Sequence, residues 1–189
     1  IKPTPTIGGV GLIKNYKNMV TMSLKDIGNQ VLVIGKTEGH IDQSLFARVI
    51  LDEKKGPPPE VNLFNEKNNG ETLLSLIEKN YIKSAHDISL GGIITAISKM
   101  CIRGNKGIKL NKPKYLISEI EYFFGEDQGR YVIEIDKSNL NKASEILSEN
   151  NIYFENIGFT QKDFFEIQGE MKMSNKELFK INNAWYNKY

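Results

Sequence analysis

A short apolar run, a turn with two glycines and the clearest amphipathic stripe in the chain follow one another between Ile82 and Arg103. Ile82 to His86 reads as a strand. Gly91 to Arg103 places Ile93, Ile94, Ala96, Ile97, Met100 and Cys101 on one helical face. A strand that feeds at once into a helix with an apolar face must bury that face against a sheet, so a layered α/β or α+β domain follows.

The rest of the chain repeats the alternation. Val31–Ile34, closed by Gly35, is the first core strand. Gln43 to Lys55 carries Leu45, Phe46, Val49 and Ile50 at helical spacing and ends before Gly56-Pro57-Pro58-Pro59, which no helix passes. Val61 to Tyr81 predicts one long helix, or two if Asn68-Asn69-Gly70 breaks it. Gly107–Leu110 and Arg130–Ile135 read as strands, the second with Tyr131, Ile133 and Ile135 alternating against Val132 and Glu134. Asn139–Ser148 predicts a helix, Ile152–Phe159 and Phe164–Gln168 strands, and Asn175–Tyr189 a helix that docks Leu178, Phe179, Ile181 and Trp185. Nearer the start, residues 5–13 read as an isolated strand with three glycines, and Met19–Leu24 allows another short strand. The expectation is a mixed sheet of about six strands flanked by four or five helices.

Composition narrows the function classes. A chain of 189 residues, 40% hydrophobic and 25% charged, has material for one folded domain. Its net charge of +2 provides no basic stripe for nucleic acid. No apolar run approaches the roughly 20 residues of a membrane helix. The lone Cys101 makes no internal disulfide, which favours the cytoplasm. The opening Ile1-Lys2-Pro3-Thr4-Pro5 has neither Met nor a leader core, so the chain reads as cut from something longer.

Chemistry concentrates in two loops. In Ala85-His86-Asp87-Ile88-Ser89-Leu90-Gly91-Gly92-Ile93, the strand-to-helix turn has phosphate-site geometry: helix amides and glycines admit an anion, Asp87 can hold Mg²⁺, and Ser89 can donate to a phosphate oxygen. The competing reading is a helix cap with glycines for packing, and spacing alone favours it. In Phe123-Phe124-Gly125-Glu126-Asp127-Gln128-Gly129-Arg130, two carboxylates, an amide and a guanidinium precede a strand, which suits a metal, a polar substrate or an internal ion pair. The loop from Gly35 to Ser44 lacks P-loop spacing, although Asp42 or Ser44 can cap a helix. Cys101 lies on an apolar face, and neither zinc-ligand spacing nor a nucleophile elbow occurs.

Five ordered motifs, namely Pro3-Thr4-Pro5-Thr6-Ile7-Gly8-Gly9-Val10-Gly11, Gln43-Ser44, Pro57-Pro58-Pro59, His86-Asp87-Ile88-Ser89-Leu90-Gly91-Gly92 and Phe124-Gly125-Glu126-Asp127-Gln128-Gly129-Arg130, together resemble the phosphoribosylformylglycinamidine synthase (PurL) family. The resemblance implies a fold like the AIR synthase C-terminal domain. Residues 1–24 would then be the final strand and linker of a preceding AIR synthase N-terminal-like domain, with 25–189 the C-terminal-like domain. It further implies an ATP- and Mg²⁺-dependent ligase that turns formylglycinamide ribonucleotide into its amidine through a phosphorylated imidate displaced by ammonia. The ammonia would come from a glutaminase subunit (PurQ), with a small subunit (PurS) as a further partner.

By the same resemblance, Asp87 is the metal ligand, Ser89, Gly91 and Gly92 contact nucleotide, and Glu126, Asp127, Gln128 and Arg130 form a substrate loop. No catalytic residue is expected in this stretch, and the chain alone should be inactive. Leu90 stands where the pattern leads us to expect Asp, and Asp42 where it leads us to expect Gly, which weakens the metal site. Other ATP-using members of the superfamily, such as thiamine-phosphate kinase or selenophosphate synthetase, are the alternative, as is a non-catalytic scaffold half.

Overall fold

Alternation within a single strand sets the layering. In the computed structural model, which describes residues 6–13, 15–113 and 117–186, β1 (Gln30–Ile34) sends Val31 and Val33 to one face and Leu32 and Ile34 to the other, and all four are buried. Such a strand needs cover on both sides. The remaining elements are α1 (Leu45–Val49), α2 (Leu63–Glu78), β2 (Ile82–Ile88), α3 (Gly92–Gly104), β3 (Gly107–Leu110), α4 (Glu119–Phe124), β4 (Arg130–Ile135), α5 (Leu140–Glu149), β5 (Phe154–Gln161), β6 (Phe164–Ile167), β7 (Met171–Ser174) and α6 (Asn175–Asn183). The strands form one sheet in the order β2-β4-β1-β5-β3-β6-β7, antiparallel except for the pair β3 and β6. The mixed α/β architecture expected from the sequence is present.

On one face, Val31, Val33, Ile88 and Val132 pack with Ile93, Ile97 and Met100 of α3 and Phe123 of α4. On the other, Leu32, Ile34, Ile133 and Ile135 pack with Leu73 and Leu76 of α2 and Ala143 and Leu147 of α5. Helices therefore cover both faces of the β2-β4-β1 half.

One buried carboxylate ties the far end together. Glu134, fully buried in β4, accepts from the amides of Lys25 (2.8 Å) and Asp26 (3.0 Å), from Asn29 Nδ2 (2.8 Å) and from Ser84 Oγ (2.8 Å). Four donors replace the water that the charge has lost.

Several sequence expectations need correction. Residues 6–13 form no strand: Ile7, Val10 and Leu12 are exposed and the segment pairs with no strand of the sheet, without which extended chain has no ladder. Of Met19–Leu24, only Thr21 bridges to Ser84, while Leu24 enters the core. The helix expected over 43–55 stops at Val49, because Val49, Ile50 and Leu51 meet no core and Asp52 turns left-handed at φ 53°. The 61–81 stretch is one helix: Asn69 is buried and donates to Gly129 O (2.8 Å), and Gly70 faces the Tyr131 hydroxyl.

In α6 only Leu178 reaches the core; Phe179, Ile181 and Trp185 are exposed, and residues 187–189 of that expectation lie outside the described residues. Helix α4 and strand β7 were not expected, although Ser118-x-x-Glu121 forms a complete capping box at the start of α4. Of the Pro3-Thr4-Pro5 motif, nothing is described.

Candidate functional site

Because β1 and β2 both run antiparallel to β4, the ends of β1 and β2 and the start of β4 share one edge of the sheet. That edge collects all three loops that the sequence singled out. Gly35 leaves β1 at φ 92°, where a Cβ would lie 2.9 Å from Arg130 Cγ, so only glycine admits the guanidinium beneath it.

Arg130 is buried and makes no contact outward. Its Nε donates to Asp127 O (3.1 Å), Nη1 to Thr37 Oγ1 (3.0 Å) and Nη2 to Gly125 O (2.8 Å), with the Asp127 carboxylate 3.4 Å away. Burial pulls its pKa down, and the Asp127 charge opposes that. Asp127 in turn accepts from three consecutive amides, Glu38 (3.2 Å), Gly39 (3.1 Å) and His40 (3.0 Å). Successive amides converging in this way make an anion cradle. Here the anion is the chain's own.

Glu126 behaves likewise. Its Oε1 accepts from Leu45 N (2.6 Å) at the start of α1 and from Gly91 N (2.8 Å) at the start of α3, while its amide donates to His40 O (2.9 Å). The substrate loop and the glycine turn are thus in contact, but through an internal carboxylate. Gly92 N donates to Ser89 O (3.0 Å), and a Cβ on Gly92 would meet Phe123 O at 2.6 Å and Gly125 O at 2.7 Å. The open amides expected at Gly91 and Gly92 are corrected accordingly: both are engaged within the protein, and the glycines serve left-handed backbone and close packing.

Asp87 and Ser89 are exposed. The Asp87 carboxylate, 63% accessible, lies 3.0 Å from His86 Nδ1, and Leu90 beside them is 60% exposed. Asp87 also faces Tyr131, whose phenol is pushed up by burial and then by the charges of Glu66 and Asp87. A single exposed carboxylate suits Mg²⁺, which keeps most of its shell as water and phosphate. The occupied amides do not suit a phosphate.

A cleft of about 550 Å³ opens between the Lys36–Asp42 loop, the start of α2 and Asp127–Gly129. From the predicted substrate loop, the lining takes Asp127, Gln128 and Gly129; Glu126, Arg130 and the turn Asp87–Gly92 stay out of it. Sequence reasoning missed the contribution of α2, which is Asn62, Asn65, Glu66 and Asn69. Their spacing of three, one and three residues continues the helical face of Leu73 and Leu76 toward the start of the helix with polar side chains, and it was legible.

Residues 26–168 match the family model described as AIR synthase related protein, C-terminal domain. A phosphoribosylformylglycinamidine synthase subunit PurL from Pelagibacter ubique (strain HTCC1062) is 63% identical over 189 residues, all of this chain and 26% of the relative. One of the same name from Bartonella henselae is 37% identical over 186 residues, 98% of this chain and 25% of that one. The chain thus spans about a quarter of the length of these relatives. Among solved structures, Thermotoga maritima PurL complexed with FGAR aligns at a TM-score of 0.72 and 17% identity, covering 86% of this chain and 30% of that one, a likeness of fold.

Proposed function

The chain belongs to the family of AIR synthase related C-terminal domains, and from that premise we propose that it is one such domain of a phosphoribosylformylglycinamidine synthase. Residues 1–24 would lead in from a preceding domain, and 25–189 form the C-terminal-like one. The observation that carries the reading is the 63% identity, across every residue of the chain, to a relative of that name. The whole protein would be an ATP-dependent ligase acting on formylglycinamide ribonucleotide, with ammonia from a glutaminase subunit (PurQ) and a small subunit (PurS) in the assembly. ATP with Mg²⁺, when bound, supplies the phosphoryl group that activates the amide oxygen. The whole protein would be cytoplasmic; no helix among the described residues is long and apolar enough to cross a membrane.

Within this domain the proposed roles divide. Asp87 would hold Mg²⁺ and Ser89 would face the nucleotide, since both are exposed. Glu126, Asp127 and Arg130 shape the cleft rim, and Gln128 meets the ligand. The reading is tested with the full-length protein and its glutaminase partner: ADP release should depend on formylglycinamide ribonucleotide. Release that requires thiamine phosphate or selenide instead would sink it.

A second reading, a scaffold half without nucleotide, is favoured by one observation, the Glu126 carboxylate on Gly91 N. Calorimetry with ADP and Mg²⁺ on the full-length protein and on its Asp87→Asn variant separates the two. Identical heats for both proteins would assign this half to scaffolding.

A further inference from the structure

Beside the exposed Asp87 stands a histidine whose burial packing alone does not explain. His86 lies near the end of β2, the edge strand of the sheet, with a side chain only 9% exposed against 63% for Asp87. Its Nε2 is buried without a partner among the described residues, a cost that an apolar ring of similar shape avoids. Its Nδ1 lies 3.0 Å from Oδ1 of Asp87. A carboxylate only accepts, so the proton of this bond sits on Nδ1 and the ring donates. Strand geometry does not impose the contact, because neighbouring side chains of a strand leave on opposite faces. Among the described residues it is the one hydrogen bond of the Asp87 carboxylate, and Oδ2 has none.

We propose that His86 is a positioning residue, whose Nδ1–H holds Oδ1 of Asp87 and so orients the exposed carboxylate for a divalent cation. An exposed carboxylate loses rotamer freedom when it takes a cation, and a bond made beforehand removes part of that cost. The proposal rests on the Mg²⁺ reading of Asp87 above and deepens it.

The test is a Mn²⁺ titration of the full-length protein with ADP present, followed by the paramagnetic resonance of the free ion, which needs no turnover. Asp87→Asn marks the site as the class of bound Mn²⁺ that it removes. For that class His86→Phe, which keeps a ring and discards the donor, should weaken binding about 10-fold, as expected for a residue that orients a metal ligand, whereas His86→Asn, with an amide N–H in the place of Nδ1, should stay within about 2-fold of the parent. His86→Leu also lacks the donor and should match His86→Phe. A merely space-filling histidine predicts the reverse order, because phenylalanine fills its room and asparagine does not. Equal affinity in parent and His86→Phe overturns the proposal while leaving the cation with Asp87. A loss in His86→Asn as large as in His86→Phe overturns it too, as does a loss in only one of the two donor-free variants. If Asp87→Asn removes no class of Mn²⁺, the reading of Asp87 falls and this proposal with it.

Discussion

Two ends of the same sheet solve the same problem with the same group. At one end, Glu134 gathers the amides of Lys25 and Asp26 with Asn29 and Ser84. At the other, Glu126 and Asp127 gather the amides of Leu45, Gly91, Glu38, Gly39 and His40. Glu134 is fully buried, and its bonds pin residues 25–29 to the strands. Of the second pair, Asp127 lines the cleft, and the three amides that it receives belong to residues that line it too. A buried carboxylate that collects amides is therefore no mark of function by itself. Its surroundings decide.

Substitutions can break or sharpen that contrast. Glu134→Ala should have the largest effect, about 3–5 kcal/mol of lost stability in urea unfolding, because it releases four donors at once, two of them buried. Ligand affinity in whatever folds should be untouched. Asp127→Ala should lower stability by about 2–3 kcal/mol and, unlike Glu134→Ala, weaken binding of the ribonucleotide as well, since three rim amides and Arg130 lose their partner. Equal effects of both variants on binding would erase the distinction between the ends.

Tyr122 offers a smaller, pH-dependent test at the cleft end. Burial first, then its hydrogen bond to Glu155 (2.7 Å), holds the phenol well above its usual value of 10.0. The folded pKa exceeds the unfolded one, so this stabilisation is complete below pH 10 and is lost as pH rises beyond it. Tyr122→Phe should cost about 1 kcal/mol at neutral pH and flatten the alkaline limb of the stability curve, measured by urea midpoints across pH. Smallest of all, Lys36→Ala should change stability by less than about 0.5 kcal/mol, because its bond to Glu38 is exposed.

The sequence carried the layers well and the site unevenly. The apolar run Val31–Ile34, closed by Gly35, and the alternation in Tyr131–Ile135 are both strand signals, and both strands lie where these put them. Helix α1 shows the limit: Val49 and Ile50 keep the helical period, yet no partner surface reaches them, and only the tertiary fold knows that. At the site, the glycine turn and the Gly125–Arg130 loop were found by composition. That Glu126 and Arg130 would point inward was hidden, because a loop carboxylate looks the same in sequence whether it faces a ligand or an amide 35 residues away. Glu134 was hidden for a related reason, as one polar letter in an alternating strand.

One oxygen at the rim joins three distant stretches of chain. Since Oε1 of Glu126 receives both Leu45 N and Gly91 N, neither helix start can loosen without releasing the other. Deuterium should therefore enter these two amides at a common rate, set by a single opening, although 46 positions separate them. The approach to the cleft acts as a latch with one tongue, and any breathing there is concerted.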